Sequence, residues 1–187
     1  MPERNDNSVN PRKILCLCGS LRQQSINRAL LISLQRHANE VSAHKSDFHF
    51  EQFDAIAELP LFNPDLEGQL PVAVQTLHAA IVWSDLIVIA SPEYAHGVTG
   101  VIKNALDWCV SLEAFVHKPV LVLQARARSQ FADAALHETL KTMSARILNQ
   151  ASLVFDLKQA SFSTEGMLAA PEVRRQLQSA LEILAGA

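Results

Sequence analysis

Residues 86–108 carry a short apolar run into an amphipathic helix through a polar loop, and no other stretch narrows the choice of fold as much. Residues 86–90 read LIVIA, a strand's length without a polar side chain, as in parallel strands covered on both faces. Val98, Ile102, Ala105, Leu106 and Cys109 then recur at helical spacing. The loop between them therefore stands at the carboxyl end of a buried strand, the edge where open parallel sheets bind ligands. Pro92 fixes its own φ, Gly97 and Gly100 permit close backbone approach, and Tyr94 offers an aromatic face. Such a loop suits a flat ligand.

The rest of the chain repeats the strand and helix alternation. Residues 14–18 form another unbroken apolar run, ended by Gly19, and Ser25 is placed to cap a helix with Ile26, Leu30, Leu31, Leu34 and Ala38 on its inner face. Residues 47–53 alternate Phe48 and Phe50 with His49 and Glu51, the pattern of an edge strand with one wetter face. Residues 54–68 read as a helical turn and a long loop, followed by a helix opened by Pro71 with Val74, Leu77 and Ile81 inward. A strand at 120–123, a helix marked by Leu136, Leu140, Met143 and Ile147, a short strand at 153–155 and a last helix from Pro171 complete the series. The alternation predicts an α/β chain, a three-layer sandwich on a parallel five-stranded sheet, and the wetter second strand suits the edge place it takes in the flavodoxin-like order 2-1-3-4-5. Residues 1–12, polar and without periodicity, read as a flexible arm before one domain over 13–187.

Composition removes several function classes. A net charge of −3, with basic residues scattered, gives no footprint for nucleic acid. No apolar run approaches the ~20 residues that span a bilayer, and the N-terminus lacks the apolar core of a signal peptide, so a cytoplasmic location is expected. Cys16, Cys18 and Cys109 lack the pattern of a disulfide framework or metal site and read as small core residues. No Ser-His-Asp or Cys-His constellation stands out, so no catalytic side chain and no metal ligand is assigned.

In a 2-1-3-4-5 sheet the loops after strands one and three flank the crevice. The first gathers Ser20, Arg22, Ser25 and Asn27 with the free N–H groups of a helix start, a donor set that stabilises an anion. It lacks the glycine spacings of nucleoside triphosphate and dinucleotide loops, so a monoester phosphate on a short tether fits it better. Taken singly, each of these residues is equally at home as a helix cap or a solvated side chain.

The order of these motifs, GSLRQQSINR at 19–28 and S-P-E-Y-x-x-G-x-x-G-x-x-K-N-A-L-D-W at 91–108, resembles the NADPH-dependent FMN reductase family of flavodoxin-like proteins, over residues 13–147. The resemblance implies FMN, with Ser20, Leu21, Arg22, Ser25, Ile26 and Asn27 about its phosphate. It also implies Pro92, Glu93, Tyr94, Ala95, His96 and Gly97 along its isoalloxazine, largely through backbone N–H groups. The activity implied is electron transfer from NADPH or NADH through FMN to a small acceptor: a flavin, quinone, azo compound or oxidised metal ion. A homodimer or homotetramer is implied as well, with residues 99–111 or the apolar loop 59–66 at the contact. The competing reading is a non-enzymatic flavodoxin-like carrier, for which a charge of −3 is a weak acidic surface.

The chain departs from the family pattern twice. Ala95 and His96 stand where many members have Asn-Gly, and His96 either touches flavin or substrate or is a plain loop residue. After the fourth strand, where many have glycines, the chain reads QARARS over 124–129. Arg126 and Arg128 there either clamp the 2′-phosphate of NADPH, or point into water or pair with Glu or Asp on a neighbouring subunit. Asn104, Asp107 and Trp108 are expected to act through structure: Asp107 by bonding nearby backbone, Trp108 by packing or bordering an interface.

Overall fold

The computed structural model describes residues 10–41, 47–127, 129–149, 152–158 and 161–187. The expected N-terminal arm lies outside these residues over 1–9, and Arg128 lies outside them too. Five parallel positions form the sheet. β1 (Arg12–Cys18) runs between β2 (Phe48–Gln52) and β3 (Leu86–Ala90), and β3 is followed outward by β6 (Pro119–Gln124). Register pairs Ile14 with Leu86 and Cys18 with Ala90, then Ile87 with Val120. The order is the expected 2-1-3-4-5, with β2 at one edge where its alternating side chains leave His49 and Glu51 exposed.

Side chains leave β1 alternately to two cores, which is why its five-residue apolar run needs helices on both faces. Ile14, Cys16 and Cys18 pack with α1 (Ile26–Val41), α5 (Thr164–Ala169) and α6 (Pro171–Ala185) through Leu30, Leu34, Met167 and Leu177. Leu15 and Leu17 pack with α2 (Val72–Trp83), α3 (Gly100–Asp107) and α4 (Gln130–Thr142) through Leu77, Ile102, Leu106 and Leu136. All three cysteines are free and buried, as small apolar residues. Burial pushes the Cys16 and Cys109 thiols up to about 12.

The fifth position differs from the sequence reading. It is shared by β7 (Arg146–Ile147), paired with the start of β6, and β8 (Leu153–Val154), paired with its end. Ile147, read as helical, belongs to β7. The helix stops because Ser144 takes φ 58°. Its N–H donates to Lys141 O at 2.8 Å and the Ala145 N–H donates to Leu140 O at 3.0 Å, the paired bonds of a Schellman stop with serine in the left-handed place glycine usually holds. The short α5, capped by Ser163, was not anticipated either.

The motif residues of α3 hold the long loop after β2. Asn104 Oδ1 accepts the Phe62 N–H at 2.8 Å, its Nδ2 donates to Pro60 O at 2.9 Å, and Trp108 Nε1 donates to the same oxygen at 2.7 Å. Trp108 is a core residue, 1% exposed, with Phe62 edge-on to it at 5.0 Å. Of its two expected roles the structure shows packing. Asp107 pairs with Lys103. Leu61, between the anchored residues, is left 84% exposed.

Candidate functional site

The chain turns one way from β1 to β2 and the other way to β3, so the crevice opens between the ends of β1 and β3. Glycine at position 19 is what allows the two loops to meet there. The Gly19 N–H donates to Ala90 O at 2.9 Å, and a Cβ at this position would lie 2.1 Å from Ser91 Oγ, 2.6 Å from Ser91 Cβ and 2.8 Å from Ile102 Cγ1. By contrast, a Cβ on Gly100 would meet nothing within 4 Å, and on Gly97 only Tyr94 O at 3.7 Å. Close approach between protein segments therefore rests on Gly19.

A cleft of about 310 Å³ lies at this point, within the range of small-molecule sites. Ser20, Arg22 and Ser25 enter it from the loop before α1, and Ile26 and Asn27 from the first turn of α1. Ser25 caps the helix, its Oγ accepting the Arg28 N–H at 3.2 Å. That cap leaves the Ile26 and Asn27 N–H groups at the positive end of α1 without partners among the described residues. Ser20, Ser25 and Asn27 are all buried, and Asn27 Oδ1 has no partner among them. A buried acceptor left open is costly unless a ligand supplies a donor. Arg22 is exposed at the mouth, and Leu21, 56% exposed, stands beside it outside the lining.

From the other side come Ser91, Pro92, Glu93 and Tyr94. The loop after β3 is a small hairpin, β4 (Glu93–Tyr94) against β5 (Gly97–Val98), turned by Ala95 at φ 49° and His96 at φ 58°. Two left-handed residues in a two-residue hairpin make the turn for which Asn-Gly is preferred. The departure at 95–96 thus places side chains in a conformation that suits them poorly. Contacts hold it in place. His96 Nδ1 is 3.2 Å from Glu93 Oε1, and its ring stands edge-on to Phe131 at 4.6 Å. Ala95, His96 and Gly97 lie on the hairpin's far end, outside the cleft lining.

Glu93 is expected to act through its backbone, and its carboxylate is engaged elsewhere. Oε2 accepts the Ala132 N–H at 2.8 Å in the first turn of α4, a helix whose own Ser129 makes no side-chain cap. The Ala132 N–H holds this carboxyl below the usual carboxylate range, with His96 adding to the effect. One acidic side chain thereby ties the hairpin to α4 and fixes one wall of the cleft.

The third wall is Ala125, Arg126 and Ser129. Arg126 is exposed and has its guanidinium carbon 4.8 Å from the centre of the Phe162 ring. Sequence reasoning passed over Ser91, Ala125, Ser129 and Phe162. The first three stand just past the ends of β3 and β6, where strand ends in such a sheet point at ligands; Phe162 arrives from the far end of the chain and carries no such signal.

A wider hollow of about 640 Å³ lies at the opposite end of the sheet. Several of its lining groups answer one another: Asp85 accepts the Lys13 N–H at 2.8 Å, and Trp83 meets both the Lys13 ammonium and the His49 ring. The switch-point cleft is smaller but keeps its donors and one acceptor open. Among the described residues no cluster of His, Cys, Asp and Glu is placed to hold a metal, and no helix is long and apolar enough to cross a membrane.

Comparison with known proteins agrees with this placement. Residues 12–160 match the family described as NADPH-dependent FMN reductase. The chain is 33% identical over 181 residues to an NAD(P)H-dependent FMN reductase of Pseudomonas aeruginosa, covering 92% of each. It is 31% identical over 160 residues to a subunit of an NADH:(hydroxy)cinnamate reductase of Vibrio ruber, covering 82% of this chain and 76% of that one. Among solved structures, the FerB NAD(P)H:acceptor oxidoreductase of Paracoccus denitrificans shares the fold, with a TM-score of 0.78 at 24% identity over 91% of this chain and 93% of the other.

Proposed function

The chain belongs to the NADPH-dependent FMN reductase family, and from that premise we propose that the switch-point cleft is where it holds FMN while electrons pass from NAD(P)H to a small acceptor. The observation that carries this is the open donor set at the start of α1 beside an unpaired buried acceptor, Asn27 Oδ1. FMN offers the matching pair: a phosphate for the Ser20, Ser25, Arg22 and Ile26–Asn27 donors, and polyol hydroxyls for Asn27. Bound there, FMN supplies hydride acceptance and onward electron transfer.

The protein's part is binding and orientation. Ser25 and the start of α1 fix the phosphate end, because cap and dipole favour negative charge there. Pro92, Glu93 and Tyr94 form the wall for the ring, and the Glu93 bond to α4 keeps that wall from shifting. No side chain in the cleft is required to form a covalent bond or to remove a proton from carbon.

The reading extends to three finer points. The acceptor is a small planar molecule such as a quinone, which suits an open cleft edged by Tyr94. The chain works in the cytoplasm, where reduced nicotinamide is made. It assembles as a homodimer or homotetramer through the anchored loop carrying Leu61 and Leu66, with Val110 nearby in the motif helix region, all exposed apolar residues. Light scattering at micromolar concentration checks the last, and a monomer ends it.

FMN titrated into apoprotein tests the site. Arg22→Ala removes a charge-assisted contact from an exposed loop and is expected to weaken FMN by about 1.5–3 kcal/mol with the fold unchanged. An unaltered dissociation constant moves the phosphate elsewhere. Visible absorption lost on adding NADPH without air is the companion result, and flavin that stays oxidised contradicts the reductase reading.

A further inference from the structure

The cleft contains a cation that FMN binding leaves over. A monoester phosphate at the start of α1 is served by Ser20, Ser25, Arg22 and two backbone N–H groups. Arg126 belongs to another wall, just past β6. Among the described residues it pairs with no carboxylate, and the acid of the cleft, Glu93, is committed to Ala132 and His96.

Arg126 is not simply a loose surface side chain. Its guanidinium lies 4.8 Å from the Phe162 ring centre, and Phe162 packs against the core that α1, α5 and α6 share with the sheet. The ring is therefore a fixed seat. A guanidinium held on an aromatic face keeps the N–H donors in its own plane available, and it loses less freedom on taking a ligand than an unsupported lysine or arginine. An unpaired arginine, prepositioned at a ligand-sized cleft, is the arrangement used to read phosphates and carboxylates.

We propose that Arg126, seated on Phe162, is a second anion-reading group of the cleft, which binds a phosphate or carboxylate carried by the second ligand that shares the cleft with FMN. This rests on the reading of the cleft as the FMN site. Two sources carry such a group: the 2′-phosphate of NADPH, and a carboxylate on an aromatic acceptor.

The experiment uses FMN-loaded protein and the variants Arg126→Ala, Arg126→Lys and Phe162→Leu. FMN affinity is measured first, by fluorescence titration, and is expected to be equal in wild type and Arg126→Ala. Equilibrium binding of 2′,5′-ADP is then compared with that of 5′-AMP, and kcat/KM for a carboxylated benzoquinone with that for benzoquinone. Loss of one charged contact is expected to weaken the probe that bears the extra anionic group about 10-fold or more while the counterpart lacking that group changes little. Phe162→Leu and Arg126→Lys are expected to give intermediate losses for the same probe. A selective loss for 2′,5′-ADP assigns the nicotinamide source, and one for the carboxylated quinone assigns the acceptor. Equal losses within both pairs, or none, overturn the proposal. So does a fall in FMN affinity in Arg126→Ala that matches the fall for the probes, since Arg126 then serves FMN itself. Failure of wild-type protein to bind FMN is a separate result that removes the cleft assignment and this proposal with it.

Discussion

Gly19→Ala tests how the crevice is built. The added Cβ would stand 2.1 Å from Ser91 Oγ, 2.6 Å from Ser91 Cβ and 2.8 Å from Ile102 Cγ1, all closer than carbon tolerates. Relief requires the β1 and β3 loops to separate, because Ile102 is fully buried and Ser91 is tied to Thr99 by a 3.3 Å hydroxyl contact. Overpacking of this kind costs about 1–3 kcal/mol, and straining the Gly19 N–H bond to Ala90 O adds about 1 kcal/mol. The expected loss is therefore ~2–4 kcal/mol, read by urea unfolding with an unchanged m-value. Ser91→Gly removes two of the three clashing atoms and, taken alone, costs ~1 kcal/mol through backbone freedom. Combined with Gly19→Ala it should restore stability with a coupling energy of ~1 kcal/mol or more. FMN affinity should fall in the single Gly19→Ala variant and recover in the double. Stability of Gly19→Ala within ~0.5 kcal/mol of wild type, or simple additivity of the two changes, refutes the idea that these loops meet only because residue 19 lacks a side chain.

Asn104→Ala should lower stability by ~1–3 kcal/mol, since it strips the Phe62 N–H of its partner and leaves Pro60 O with the Trp108 Nε1 bond alone, and should make residues 59–66 the first site of proteolysis; unchanged cleavage contradicts the anchoring role. Trp108→Phe keeps most of the packing and loses only the bond to Pro60 O, so about 1 kcal/mol is expected, and a loss above ~3 kcal/mol would mean that packing dominates there instead. His37, buried on α1, has its imidazole pushed below the ordinary 6.5 by burial and by the Arg174 guanidinium. The unfolded chain takes up this proton first as pH falls, so stability declines below about pH 6.5 and continues to do so down to the folded value. His37→Leu should flatten that decline below about pH 6.5, and a parallel decline in the variant places the acid sensitivity elsewhere.

The sheet and its crevice follow from the chain's own apolar pattern. Runs such as 14–18 and 86–90 leave no polar face, so they demand helices on both sides, and that demand fixes a parallel sheet whose ligand edge carries the two motif loops. Both loops meet at one cleft because the switch point is a property of connectivity, which is local in the chain. Contacts between distant segments were not legible. The apolar spacing that carried α4 on to Ile147 is common to a helix and to the strand that follows it, and only the left-handed Ser144 ends the helix. Glu93 looked like a ring-side residue, yet it caps a helix some forty positions later in a pairing that no periodicity encodes. Asn104 reads as part of a motif, while its task is to hold backbone from the loop after β2. Arg126 acquired a fixed seat only when Phe162 was brought beside it from the far side of the chain. Periodicity and turn chemistry record what a residue asks of its neighbours in sequence; which distant group satisfies an open donor, carboxylate or cation is settled by packing, and in this protein that decided the walls of the site.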